Sequence, residues 1–353
     1  MKFHYIFYAL FCMVFFSCSQ PGKPSEIQEK TQEKQLESAG NLPAESSANA
    51  LSQALQKILE KFKDKVPQGG YRVTIDNLVI KDSEIPSAFS EELRNEISVA
   101  INNCGFLQEY PREQLDAILK QHKISVSTFF DSQNAPKIGA LKTIQGMIQG
   151  SYLVSEEEGI KVYLHLLDIE SGQKLASASG SVQRKSKIAM PPNYKQSQEI
   201  LKNFSPAQKP GFKVQVWTDR GKGSVYRVGE RLNIHFESEK DCYLKLYHIN
   251  AKGEIQLIFP NHIDSDNRIQ ANTIYSIPGE NYGFEFIMSH PLGAEMIKAI
   301  ASTSPFQNIE TSGVPLGNSP EMTKSIIQEA RKLKGLEIKP LNSEEICIYS
   351  IVE

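Results

Sequence analysis

The chain has 353 residues, with 39 Lys and Arg against 41 Asp and Glu, a net charge of −2 and 40% apolar side chains. That length exceeds what one core usually holds and suggests two domains plus a tether, while the near balance of charge gives no electrostatic footing for nucleic acid. Cys104, Cys242 and Cys347 lie far apart in sequence, which excludes a disulfide framework or a CxxC metal site in the body of the chain.

The chain opens on Met1 and Lys2, followed by an apolar run over residues 5–16, then Ser17 and Cys18. A basic start and an apolar stretch too short for a comfortable membrane span describe a secretory leader. The small residue before Cys18 and the polar SQPGKPSE after it give that leader the lipoprotein form: residues 1–17 are removed, and Cys18 is lipidated with palmitate-type acyl chains. The competing reading is an ordinary cleaved signal that happens to end near Cys18, and Phe15 stands where an aliphatic residue is usual. Residues 18–50 are rich in Gln, Glu, Lys, Ser, Pro and Ala and read as a flexible tether, with a reach on the order of 30 Å as a coil.

Leu51, Leu55, Ile58, Leu59 and Phe62 then recur at helical spacing until Pro67, Gly69 and Gly70. YRVTIDNLVI, residues 71–80, predicts a strand. Ser87 or Ser90 caps a second helix bearing Leu93, Ile97, Ala100 and Ile101 on one face and closed at Gly105. Residues 106–110 form a short strand, Pro111 opens a helix that buries Leu115, Ile118 and Leu119, and a further helix ends near Leu141. MIQGSYLVS, GIKVYLHLLDI and KLASASGSV follow as an antiparallel meander, with Val162, Leu164 and Leu166 on the core face and Lys161, Tyr163 and His165 on the wetter one.

Residues 191–211, with Pro206 and Pro210, read as a linker. In residues 212–353, KVQVW, RLNIHFES, DCYLKLYHI, EIQLIFP, the run 269–277 and YGFEFIM are strand-like, 293–302 and 321–334 have helical spacing, and EEICIYSIVE closes the chain as a strand. The fold class is therefore α+β in two domains. Residues 51–190 form an α/β sandwich with a mixed sheet and helices, and residues 212–353 a β-sandwich-like domain with two helices. Cys242 and Cys347 are buried thiols, or pair if their strands adjoin.

No HExxH, GxSxG, metal-ligand spacing or phosphate loop stands out. Gly221, Lys222, Gly223 and Ser224 lack P-loop spacing and precede a strand, so they read as a turn. Asn261, His262, Asp264, Asp266 and Asn267 alternate oxygens as a calcium loop does, but Arg268 breaks the pattern and favours a solvated turn. Ser289 and His290 have no Asp partner in the sequence pattern. Tyr226 with Arg227, and Phe259 with Asn261, are the candidate partner-binding residues, because aromatic and Arg side chains anchor interfaces. The competing reading places Tyr226 and Phe259 in the core, with Arg227 snorkelling.

YPREQLDAILKQHKIS, KIGALKTIQGMIQGSYL and VYLHLLDIESGQKLAS, within residues 110–177, resemble the curli-assembly (CsgG-like) and FlgO-like superfamily of bacterial lipoproteins, to which the penicillin-binding-protein activator LpoB is similar. Arg112, Leu115, Gly139, Ala140, Gly150 and Ser151 match that pattern, Gln121 departs from it, and the resemblance covers roughly residues 70–185. The pore-forming member inserts long hairpins, and the connections 80–89 and 124–137 are too short and polar for membrane strands. No channel is expected. YRVGERL, YLKLYHINAKGEIQLIFPN and GAEMIKAIAS resemble an uncharacterised bacterial domain found after kinase-, caspase- and curli-type domains.

These resemblances imply a non-catalytic, lipid-anchored cell-envelope protein, facing the periplasm from the outer membrane and acting by protein binding in envelope or surface-structure assembly. No cofactor and no metal are expected. The partners are the membrane, through Cys18, and an envelope protein; self-association is left open. An LpoB-like activator of a peptidoglycan synthase and a hydrolase with a site between the domains are the alternatives.

Overall fold

The computed structural model describes residues 44–111, 144–155, 159–182, 188–204, 211–279, 282–306 and 341–353. The leader with Cys18, most of the tether, and the helices expected after Pro111, before Leu141 and over 321–334 lie outside the described residues.

Helix α1, Ala44–Glu60, starts inside the segment expected to be tether. Ala44, Glu45, Ala48 and Ala50 are good helix formers, and the helix then buries Leu51, Leu55, Ile58 and Leu59, with Phe62 just beyond it, all at 3% exposure or less. Each such side chain contributes about 1.5–3 kcal/mol on leaving water. The strand expected over 71–80 divides into β1, Tyr71–Ile75, and β2, Val79–Ile80. Asp76 interrupts it: Oδ1 accepts the Asn77 N–H at 2.8 Å and Oδ2 accepts Gln149 Nε2 at 3.1 Å.

Helix α2, Ala88–Cys104, uses both candidate serines. Ser87 Oγ accepts the Phe89 N–H at 3.2 Å, and Ser90 Oγ accepts the Ser87 N–H at 3.0 Å, a reciprocal cap. Gly105, at φ 76°, ends the helix in the left-handed conformation that glycine adopts without strain. Strands β3, Leu107–Glu109; β4, Gly146–Ser155; β5, Gly159–Asp168; and β6, Lys174–Val182 complete the first sheet, in the order β3-β1-β4-β5-β6 with β2 beside β4. Strand β1 runs parallel to β3 and β4, and β4, β5 and β6 form the expected antiparallel meander. Val162, Leu164 and Leu166 are fully buried beneath the helices.

The expected linker contains helix α3, Tyr194–Phe204. Its sequence is mostly polar because only a thin stripe is covered: Tyr194, Ile200 and Leu201 pack on the core, and Ser197 is fully buried. At its start, Asn193 Nδ2 donates to the carbonyls of Ala251 and Ala294.

The second half contains β7, Val214–Thr218; β8, Ser224–Arg227; β9, Arg231–Leu232; β10, Ile234–Ser238; β11, Cys242–Ile249; β12, Ile255–Phe259; β13, Arg268–Ile269; β14, Tyr275–Ile277; β15, Phe286–Ile287; β16, Gly293–Ser302; and β17, Asn342–Val352. A three-stranded sheet, β14-β10-β7, faces a larger sheet of order β12-β11-β16-β17-β8. Val214, Val216, Ile234 and Phe236 from the first meet Leu244, Leu246, Ile297, Cys347 and Tyr349 from the second. The two sheets pack face to face through these side chains.

One correction is large. Residues 293–302 are not a helix but β16, the central strand of that sheet, buried at every position. A short apolar run does not distinguish a buried strand from a helix by periodicity, and Glu295 with Lys298 imitates an i,i+3 helical pair. On a strand, residues three apart point to opposite faces. Cys242 and Cys347 are free thiols on β11 and β17, with β16 between those strands.

The far face of the larger sheet supplies Tyr247, Ile249, Ile255, Leu257, Met296, Ile300 and Ile348 to the same apolar cluster that contains Leu55, Ile97 and Leu164. The core is thus continuous across the boundary expected at 191–211. Among the described residues the fold is α+β, with two α-helices over a mixed sheet and a third within the junction.

Candidate functional site

The four predicted partner-binding residues do not assemble into one patch. Tyr226 and Arg227 lie on β8 and Phe259 ends β12, and these strands are the opposite edges of the larger sheet. Burial also corrects the expectation for the aromatics. Tyr226 is 0% and Phe259 3% exposed, so neither ring faces solvent. Phe259 packs on Phe236 with centroids 5.1 Å apart. Asn261 shapes the following turn: its Oδ1 accepts the N–H groups of Ile263 and Asp264 at 2.9 Å.

The supposed calcium oxygens serve that same turn. Asp264 Oδ2 accepts the Tyr282 hydroxyl at 2.5 Å, and Asp266 Oδ1 accepts the Arg268 N–H. His290 faces Glu353 Oε1 at 3.2 Å on an exposed surface.

Arg227 instead marks a polar joint between the halves. Its Nη2 reaches Glu91 Oε2 on α2 at 2.9 Å, while Nη1 donates to the Glu353 carbonyl at 2.9 Å. Nearby, Ser350 Oγ donates to the Pro86 carbonyl at 2.8 Å. The turn at 220–223 is the third contact: Asn77 Nδ2 donates to the Arg220 and Lys222 carbonyls at 2.8 and 2.9 Å. Gly223, at φ 69°, permits the close approach, since a Cβ there would sit 2.6 Å from Val79 Cγ1. The glycine-rich turn is thus a docking knuckle rather than a phosphate cradle.

Behind the joint lies a polar network that sequence reasoning missed. Glu295 Oε2 lies 2.8 Å from both His248 Nε2 and the Tyr349 hydroxyl, and Oε1 accepts the Ala251 N–H at 3.2 Å. Tyr349 meets the Tyr226 ring edge-on at 5.7 Å, and the Arg220 guanidinium covers Tyr226 at 4.5 Å. The Tyr226 hydroxyl donates to Asp219 at 2.8 Å. Burial, reinforced by Glu295, holds the Tyr349 hydroxyl well above its usual pKa; burial and Asp219 do the same for Tyr226. Both stay protonated donors. The Arg220 guanidinium, 2.7 Å from Glu230, holds that carboxyl below its ordinary range. The missed signal was the pair His248 and Glu295, concealed by reading 293–302 as helix.

Among the described residues no helix is long and apolar enough to cross a membrane, and no group of three or more His, Cys, Asp or Glu could hold a metal.

A family model described as "Domain of unknown function (DUF4384)" matches residues 225–305, from β8 to just past β16. No curated protein matches the chain. Among solved structures, the LpoB C-terminal domain from Escherichia coli is similar at 16% identity and TM-score 0.32, over 38% of this chain and 98% of that one. The LpoB C-terminal domain from Salmonella enterica is similar at 19% identity and TM-score 0.29, over 38% and 98%. Lipoprotein GNA1162 from Neisseria meningitidis is similar at 12% identity and TM-score 0.26, over 37% of this chain and 94% of that one.

Proposed function

We propose that this chain is a lipid-anchored protein of the bacterial cell envelope that works by docking to another envelope protein, without catalysis. The observation that carries this reading is the order of features at the start of the sequence: a basic start, a short apolar run, Ser17 before Cys18, then a polar stretch. Acyl chains at Cys18 would hold the protein at the outer membrane, facing the periplasm. The folded body supports docking. Its two halves share a core and a polar joint, and the ionisable groups gathered behind that joint, Glu295, His248, Tyr349, Tyr226 and Asp219, bond to one another.

A narrower form makes the docked partner a peptidoglycan synthase that the chain activates. The motif resemblance over roughly residues 70–185 favours it.

Crosslinking in intact cells followed by mass spectrometry tests the reading. A reproducible envelope protein, captured by the wild type and lost when the anchor is removed, is expected; a peptidoglycan synthase among the captures selects the narrower form. Absence of any reproducible partner would overturn docking.

A further inference from the structure

Helix α3 rests on a seat that is specific in its polar contacts. Asn193, just before the helix, donates to the carbonyls of Ala251 at 3.0 Å and Ala294 at 2.8 Å, and its Oδ1 accepts the Ala294 N–H at 2.8 Å. Gln196 Nε2 donates to the Lys252 carbonyl at 3.0 Å. The seat leaves no slack: a Cβ on Gly293 would stand 2.4 Å from Asn193 Oδ1.

The apolar side of the same contact is thin. Tyr194, Ile200 and Leu201 are only partly buried, whereas α1 and α2 carry Leu55, Leu59, Leu93 and Ile97 to 0% exposure. Among the described side chains of α3, Ser197 alone is buried, at 0% exposure. Its Oγ meets no hydrogen-bond partner. Ser197 stands three residues from both Tyr194 and Ile200, so the helical repeat puts it at the centre of the covered stripe. A hydroxyl taken out of water without a partner opposes docking of the helix. Firm ties at one end and a centre that resists burial place α3 at the low-stability end of the fold.

We propose that α3 is a clasp, a helix that leaves its seat as a unit while the sheets and the core they share stay folded. Its return re-forms the Asn193 and Gln196 bonds. Opening uncovers the turn at 250–253 and the start of β16, the backbone that those two side chains hold. The inference depends neither on acylation at Cys18 nor on docking to a partner.

Hydrogen exchange of the purified protein, resolved by fragmentation and mass spectrometry, tests it. After correction for intrinsic rates, the amides of residues 198–204 should exchange at least a hundredfold faster than those of β16. They should share one protection factor, and low urea should barely raise their rate, because the opening exposes little surface. Ser197→Ala removes the unpartnered hydroxyl and should slow α3 exchange at least fivefold. Glu199→Ala, at an exposed position of the same helix, measures what helix propensity alone contributes, about twofold. Equal protection of α3 and β16 would overturn the proposal. So would protection that falls steadily toward residue 204, which is fraying, or a urea dependence as steep as that of global unfolding. A Ser197→Ala effect no larger than that of Glu199→Ala would overturn it as well.

Discussion

Replacing Glu295 by Leu tests the placement of β16 and the network behind the joint in one step. Glu295 accepts from the Tyr349 hydroxyl and the Ala251 N–H and lies against His248. His248 keeps a quarter of its side chain in solvent and can turn to water, but Tyr349 is 0% exposed and Ala251 6%. The buried Ala251 N–H would be orphaned, at about 1–3 kcal/mol, and the Tyr349 hydroxyl would be left with His248 Nε2 alone, 3.1 Å away. The substitution should cost about 2–4 kcal/mol and lower the melting temperature by about 4–10 °C. Adding Tyr349→Phe removes a hydroxyl that Glu295 no longer meets, so Tyr349→Phe should cost about 1 kcal/mol less in the Glu295→Leu background than in the wild type. Thermal and urea unfolding of the four proteins close the cycle. On a surface helix the change would stay within about 0.5 kcal/mol. That result, or strict additivity of the two substitutions, would refute the buried network.

Other consequences can be measured separately. Gly223→Ala places a Cβ 2.6 Å from Val79 Cγ1 at a φ of 69°; it should destabilise the protein by about 1–3 kcal/mol, and Val79→Ala should return part of that in thermal melts. Burial pushes the Cys347 thiol up to about 12 and raises that of Cys242, so with a thiol reagent at pH 8 Cys104 should react first and the other two only at the rate of unfolding. Glu230, held below its ordinary pKa by Arg220, contributes stability above the unfolded carboxylate value of about 4.3 that is lost as pH falls through its lower folded value. Glu230→Gln should therefore flatten the stability curve below about pH 4.5, and an acid-unfolding profile identical to wild type would contradict the ion pair.

Legibility in the sequence followed how strongly local pattern alone specifies an element. α1 and α2 were readable because one apolar face repeats over several turns and Ser87, Ser90 and Gly105 mark the ends of α2. The meander was readable because strict alternation and short turns agree. β16 was not, because a strand buried on both faces loses its alternation, and α3 was not, because its covered stripe is narrow. The site was less legible than the fold. That β8 and β12 end up at opposite edges of one sheet depends on strand order, which no local pattern encodes, so Tyr226 and Phe259 were read from residue type alone. Residue type marks Arg227 as a candidate for binding another protein, but it does not point to Glu91 of the same chain, 136 positions away.

Docking at the envelope rests on the proposed attachment through Cys18. Metabolic labelling with a palmitate analogue, comparing wild type with Cys18→Ala in membrane and soluble fractions, tests it most directly. Label confined to the wild-type protein in the membrane fraction, with the variant unlabelled and released, is the predicted result; equal labelling of both, or a wild-type protein found in the cytosol with residues 1–17 retained, would contradict it.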